Sequence, residues 1–211
     1  MKVAVSYLSS DNYKKCIELI DDSKADLIHV DMCDGKYVET KNFSMGELIK
    51  LLKGAKKKLD IHLMVNNPMK YIDQLAMLNV EAITVHLNTD KDILSVIDYI
   101  SSIGIKAGIA INPDEDVKLI EPLLDSVDKV LFLSVYPGKG GQAFIPEVLD
   151  KVDKINMVKD KYHFETSIDG GINADSIELI KDKNIDIVVS GSFVTNNDNY
   201  DDCIKLIKSQ L

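Results

Sequence analysis

Short β-branched runs alternate with longer amphipathic runs from one end of the chain to the other, and nothing else in the sequence constrains the fold as tightly. The strand-like runs are Lys2–Tyr7, Asp26–Met32, Leu59–Val65, Ala82–Leu87, Lys106–Asn112, Lys129–Val135, His163–Asp169 and Asp186–Ser190. Several are almost wholly apolar, such as Val130-Leu131-Phe132-Leu133, which is how strands covered on both faces read. Helix-period segments lie between them; in Met69–Leu78, Tyr71, Ile72, Leu75 and Leu78 share one stripe. Asn67-Pro68 offers that helix a capping residue and then a proline at its first position. Eight strands alternating with eight helices over 211 residues amount to roughly 26 residues per unit, the economical end of a (β/α)8 barrel. A doubly wound open sheet usually carries a glycine-rich loop after its first strand, and this chain has Leu8-Ser9-Ser10-Asp11 there. We therefore expect an α/β chain folded as one (β/α)8 TIM barrel, a single domain spanning residues 1–211.

Composition narrows the function. A net charge of −9 argues against sequence-independent binding to nucleic acid or to an anionic membrane. All 25 basic residues are lysine, so an anionic ligand is held without a bidentate guanidinium clamp. Cys16, Cys33 and Cys203 are dispersed and form no CxxC pair, which disfavours a disulfide framework or a thiolate zinc site and fits a reducing, cytoplasmic setting. The apolar run Val3–Leu8 is too short for a signal-peptide core or a membrane span.

Chemistry in such barrels sits at the C-terminal ends of the strands. His29, His62 and His86 fall near those ends on strands two, three and four, whereas His163 opens strand seven at the opposite face. His29 and Asp31 are an i, i+2 pair, so on a strand their side chains point the same way. A single strand histidine is commonly a hydrogen-bonded core group, and a single strand-end aspartate commonly caps the next helix. Joint placement changes the reading, because His29, Asp31, His62 and Asp169 converge on one face from three strands. Two imidazoles and two carboxylates suit Zn²⁺, Fe²⁺, Mn²⁺ or Co²⁺, and the ligand set does not choose among them. Glycine clusters follow strand six (Gly138, Gly140 and Gly141, with Lys139 between), strand seven (Gly170-Gly171) and strand eight (Gly191-Ser192). Any one alone reads as a tight turn; together they occupy the corner where barrels hold phosphate on backbone N–H groups. The residues thus describe a metal-dependent barrel enzyme acting on a small phosphorylated substrate.

Longer motifs carry a family resemblance. They are Ser6-Tyr7-Leu8-Ser9-Ser10-Asp11, His29-Val30-Asp31-Met32-Cys33-Asp34-Gly35, Asp60–Pro68, Ile83-Thr84-Val85-His86, Ala107–Pro113, Ser134–Phe144, Ile168–Asn173 and Gly191-Ser192. With these, the chain resembles the ribulose-phosphate 3-epimerase family from Val3 to its C-terminus. The resemblance implies a barrel of the ribulose-phosphate-binding type that interconverts D-ribulose 5-phosphate and D-xylulose 5-phosphate. It implies one divalent metal per subunit on His29, Asp31, His62 and Asp169, with Zn²⁺ the first candidate and Fe²⁺, Mn²⁺ or Co²⁺ the others. It implies that Asp31 and Asp169 are the acid/base pair and that Ser6, His62 and Asp169 contact the sugar. Gly138, Lys139, Gly140, Gly141, Gly170, Gly171, Gly191 and Ser192 match the phosphate site, and a homo-oligomer, dimer or hexamer, is implied as well. Inverting C3 of a ketose removes a proton on one face and returns one on the other, so two bases are required. The cis-enediolate between the two steps needs charge stabilisation of the kind a divalent cation supplies.

Departures from the family pattern cluster at the pocket. Cys33 and Leu133 stand where methionine is usual, and Lys139 stands where phenylalanine is usual. Lys36-Tyr37-Val38-Glu39-Thr40 replaces His-Phe-Val-Pro-Asn, Asn88 replaces a glutamate, and Val5 replaces a proline. None removes a ligand or proton carrier. They leave open a longer substrate such as D-allulose 6-phosphate, and a catalytically silent phosphosugar-binding barrel is a third alternative. A related decarboxylase group has a lysine in its strand-three motif, which Asp60-Ile61-His62-Leu63-Met64-Val65 lacks.

Overall fold

The computed structural model describes residues 1–210. Eight parallel strands close into a barrel in sequence order: β1 (Lys2–Ser6), β2 (Leu27–Cys33), β3 (Lys58–Met64), β4 (Val80–His86), β5 (Lys106–Ile111), β6 (Lys129–Leu133), β7 (Glu165–Asp169) and β8 (Ile187–Ser190). Each lies within two residues of its expected bounds. Closure is made by β8 pairing with β1, Val188 opposite Val3 and Ser190 opposite Val5.

Side-chain alternation sorts these strands into two packed layers. On β6, Val130 and Phe132 face outward into the main cluster beneath the helices. Leu131 and Leu133 face inward and meet Ala110 of β5. A second interior cluster joins Ala4, Leu27, Ile187 and Val189 across β1, β2 and β8. The apolar runs are therefore long because both faces are covered, one by helices and one by the opposite side of the barrel.

The outer ring holds α1 (Tyr13–Asp22), α2 (Met45–Leu52), α3 (Met69–Leu75), α4 (Ile93–Ser102), α5 (Val148–Asn156), α6 (Lys159–Tyr162), α7 (Ala174–Ile180), α8 (Ser192–Thr195) and α9 (Tyr200–Gln210). Local signals start several of them. Asn12 Oδ1 accepts from Lys15 N at 3.1 Å, Asp92 caps α4 through Ser95 N, and Ser44 with Glu47 forms a capping box on α2. Each cap contributes about 1 kcal/mol. Burial contributes more: Val96, Ile97 and Ile100 of α4 are enclosed, each worth roughly 1.5–3 kcal/mol.

Three expectations about the ring are corrected. The β5–β6 crossover is not an α-helix but two 3₁₀ turns, Val117–Leu119 and Glu121–Leu123. Pro122 falls in the middle of this stretch and has no N–H for a helical ladder. Ile120, Leu123, Leu124 and Val127 still cover the barrel there. Asn67 does not cap α3 with its side chain; it adopts a left-handed φ of 56°, and α3 ends at Leu75 rather than Leu78. Proline disfavours the α region for the residue before it, and asparagine tolerates the left-handed alternative. His163 also lies outside its strand: at φ 61° it terminates α6, exposed, two residues before β7 begins.

Candidate active site

Inward-facing residues of β2 and β3 build the centre of the C-terminal mouth. His29, Asp31 and Cys33 share the inner face of β2, and Asp60, His62 and Met64 share that of β3, with Asp31 opposite His62 in register. Asp169 ends β7 and joins them from three strands away round the barrel. His29, Asp31, His62 and Asp169 each offer a ligand atom, all within 4.8 Å of one another. His29 Nε2 lies 3.3 Å from Asp31 Oδ1 and 3.5 Å from Asp169 Oδ2, and His62 Nδ1 lies 2.9 Å from Asp31 Oδ1. All four residues singled out in the sequence are brought together. His29 sits deeper than its expected strand-end place, third in a seven-residue strand and fully buried.

The second nitrogens of both rings are occupied. His29 Nδ1 is 2.9 Å from Asp60 Oδ2, and His62 Nε2 is 2.8 Å from His86 Nε2. The Tyr37 ring lies on His86 with centroids 4.6 Å apart, and Asn112 Nδ2 donates to Tyr37 Oη at 3.0 Å. Burial would lower the His29 pKa, but the charges and hydrogen bonds of Asp31, Asp169 and Asp60 outweigh it and raise it well above the usual histidine value. Burial likewise opposes ionisation of Asp31, and His29 and His62 overcome it, holding the carboxyl far below the ordinary range. Burial, followed by the neighbouring His62, keeps His86 well below the usual imidazole value.

A divalent cation fits this cluster on chemical grounds. Two carboxylates and two imidazole nitrogens converge, and each imidazole has a hydrogen-bond partner on its outer nitrogen.

Beside the cluster opens a cavity of about 550 Å³. Ser6, Asp31 and Asp169 line it, together with Gly138, Lys139, Gly140 and Gly141, Gly170 and Gly171, and Gly191 and Ser192. Three glycines there admit no side chain, the first being Gly138 (φ 96°), where a Cβ would come within 2.9 Å of Val38 Cβ. A Cβ on Gly170 (φ 121°) would come within 2.5 Å of Val135 Cγ2, and one on Gly171 (φ 65°) within 2.6 Å of Phe144 N. The loop after β6 is pinned by Gln142 Nε2, which donates to Tyr136 O and Lys139 O, and by Thr40 Oγ1, which donates to Gly138 O at 2.6 Å. Lys139 is exposed and is the lysine lining this cavity among the described residues.

Sequence reasoning missed several neighbours. Asp60 is i, i+2 to His62, so the parity argument used for His29 and Asp31 would have placed it inside. Lys129 shares the parity of Leu131 and Leu133 and is as buried as they are. Asn42 and Met64 also line the cavity, beside Cys33 and Thr40, which the sequence places at the pocket, and Cys33 Sγ lies 3.9 Å from Met64 Sδ; Leu133, expected there too, is packed inside the barrel and does not line it. Asn42 had no local signal; its amide donates to Asp31 O at 2.8 Å and its Oδ1 accepts from Cys33 N at 2.9 Å.

Fold and site together define a (β/α)8-barrel enzyme whose chemistry lies at the C-terminal mouth of the barrel. Comparison with known proteins narrows this class. Residues 2–195 match the model of the ribulose-phosphate 3 epimerase family, and the chain belongs to that family. Among curated relatives, a ribulose-phosphate 3-epimerase of Helicobacter pylori strain J99 is 38% identical over 92% of this chain and 90% of its own length. One from Bacillus subtilis is 35% identical over 92% of both chains. The chain is accordingly a carbohydrate-phosphate epimerase, an isomerase by class. Among solved structures, 3-hexulose-6-phosphate synthase from Salmonella typhimurium superposes with a TM-score of 0.71 at 16% identity, covering 100% of this chain and 98% of its own. N-(5'-phosphoribosyl)anthranilate isomerase from Pyrococcus furiosus superposes with a TM-score of 0.63 at 15% identity, covering 100% and 98%. At such identities these share the fold alone. No helix among the described residues is long and apolar enough to cross a membrane.

Proposed function

We propose that this chain, residues 1–211 acting as one barrel domain, interconverts D-ribulose 5-phosphate and D-xylulose 5-phosphate by proton transfer at C3. The observation that carries the reading is the convergence of His29, Asp31, His62 and Asp169, with both carboxylates lining a cavity that Gly138, Gly140, Gly141, Gly170, Gly171 and Gly191 also line. These four residues would hold one divalent cation, zinc being the first candidate. Bound there, the cation would supply Lewis-acid stabilisation of negative charge developing on the sugar oxygens.

Asp31 and Asp169 reach the cavity from β2 and β7, so two carboxylates address the substrate from different directions. One takes the C3 proton and the other delivers a proton to the opposite face; in the reverse reaction they exchange roles. Hydrogen bonds on the far nitrogens of His29 and His62 keep both rings, and the Asp31 carboxylate between them, from rotating out of place. Ser6, which lines the cavity, would offer its hydroxyl to the sugar. Backbone N–H groups at Gly138–Gly141, Gly170-Gly171 and Gly191-Ser192 take the phosphate, with Lys139 as counter-charge. We further infer a cytoplasmic homo-oligomer, dimeric or hexameric as the family resemblance implies, which sedimentation of the purified chain tests.

Metal-loaded protein is assayed on pentulose 5-phosphates and on allulose 6-phosphate, with ²H₂O exchange at C3 followed by NMR. Pentulose turnover at least tenfold above hexulose turnover is expected, together with loss on chelation and recovery on adding Zn²⁺. A tenfold preference for the hexulose would shift the substrate to the longer sugar, for which the Cys33 lining of the cavity leaves room. Absence of C3 exchange in metal-loaded protein that still binds phosphosugar would overturn the reading.

A further inference from the structure

Lys129 opens β6 with its side chain inside the barrel at 1% exposure, where an ammonium is seldom found unless paired. The proton transfer described above does not use it. Its Nζ contacts Oδ1 of Asp60, equally buried, which arrives from β3, three strands away round the barrel. The other oxygen of that carboxylate accepts from His29 Nδ1 at 2.9 Å. The opposite nitrogen of the same ring faces Asp31 at 3.3 Å and Asp169 at 3.5 Å. Lys129, Asp60 and His29 therefore form one enclosed chain running from the barrel interior to the ligand cluster.

A purely structural purpose explains this chain poorly. Burying two charges is a weak source of stability, and apolar residues of similar volume generally do as well. The other inward residues of β6, Leu131 and Leu133, are apolar, so the interior here accommodates such packing. What the ion pair adds is direction. A carboxylate held at one oxygen can turn about its Cβ–Cγ bond, whereas Asp60 is held at both. Its Oδ2 then presents a fixed acceptor to Nδ1, which sets the tautomer and orientation of a ligating imidazole.

We propose that Lys129 is a positioning residue for the metal centre: acting through Asp60, it fixes His29 with Nδ1 protonated and Nε2 turned toward Asp31 and Asp169. The inference rests on the reading of His29 as a ligand.

Co²⁺ is titrated into metal-free wild type and Lys129→Met, followed by calorimetry and by the visible absorption of bound Co²⁺, with thermal melts of both proteins alongside. Wild type is expected to bind one Co²⁺, and Lys129→Met to melt cooperatively yet bind Co²⁺ about 10- to 100-fold more weakly with a changed absorption band. A purely structural role would lower the melting temperature and leave the band and the affinity unmoved. A folded Lys129→Met that binds Co²⁺ within twofold of wild type, with the same band, overturns the inference and leaves the metal centre standing. A wild type that binds no Co²⁺ removes the metal centre and the inference with it. If Lys129→Met does not fold, Asp60→Asn/Lys129→Met takes its place, since it leaves no unpaired charge and keeps an oxygen acceptor for His29; the same thresholds apply. Long-range ¹H–¹⁵N NMR of Zn²⁺-loaded wild type tests the tautomer without any substitution. A proton on His29 Nδ1 is expected, and a proton on Nε2 overturns the proposal.

Discussion

His62 and His86 face each other across β3 and β4 with their Nε2 atoms 2.8 Å apart. A single proton lies between two imidazoles in such a contact, so the tautomer of one dictates that of the other. A cation held on His62 Nδ1 beside Asp31 would leave the proton on Nε2, which then donates to His86. His86→Phe removes that acceptor while keeping an aromatic ring for Tyr37. We expect metal affinity and kcat to fall about 10- to 100-fold, the usual loss for a group that orients a ligand. Calorimetry with Zn²⁺ and steady-state kinetics at saturating metal check the two parts separately.

The paired carboxylates make a stronger prediction. Asp31→Asn and Asp169→Asn each remove a proton carrier and a charge from the metal cluster. Turnover should fall by at least 10²- to 10⁴-fold in either variant. Exchange of the C3 hydrogen with ²H₂O, measured by NMR on each substrate epimer, separates the two roles. Near-full activity in either variant would show that the proton-carrying residues lie elsewhere.

Gly170 tests how closely backbone must approach in the phosphate corner. Gly170→Ala forces a side chain at φ 121° and against Val135. Strain and overpacking together cost about 1–3 kcal/mol. The shift of Val135 and the neighbouring turn should raise KM for the phosphorylated substrate roughly tenfold. Competition by inorganic phosphate should weaken in parallel, and an unchanged phosphate inhibition constant would argue that the anion sits elsewhere.

Acid sensitivity should arise partly at the N-terminal end of the barrel. Glu165 receives Lys2 Nζ at 2.8 Å and Lys106 Nζ at 2.9 Å, and Glu81 receives Lys58 Nζ at 2.6 Å. Burial raises the Glu165 pKa, but hydrogen bonds from Lys2 and Lys106 outweigh it, so the net shift is downward. The hydrogen bond from Lys58 does the same for Glu81. A depressed carboxylate pKa gives stability that is present above the unfolded value and lost as pH falls through the folded one. These lysines are partly exposed, so the contribution of the network is about 1 kcal/mol, or roughly 2–4 °C in melting temperature. Glu165→Gln should therefore melt below wild type near pH 7, and the difference should close well below the ordinary carboxylate pKa. Added salt should shrink it at neutral pH.

What local pattern decides was already legible in the chain. Strand parity is a property of two residues, so His29 with Asp31, and the two-layer burial of β6, follow from alternation wherever the strand lies. The helix caps at Asn12, Ser44 and Asp92, which the sequence reading did not single out, are local as well, since each closes within three residues. The same reasoning failed where a neighbour overrode the pattern: Pro122 replaced a helix with 3₁₀ turns, and Pro68 pushed Asn67 out of its capping conformation. Contacts between strands that face each other across the barrel were beyond it. Asp60 and Lys129 lie 69 residues apart, and neither residue's surroundings in sequence mark the other as its partner. Only closure of the sheet, β8 onto β1, brings side chains of β3 and β6 together across the interior and β7 within reach of β2. Local spacing determined which side chains point inward; the circumference of the closed barrel decided which of them meet.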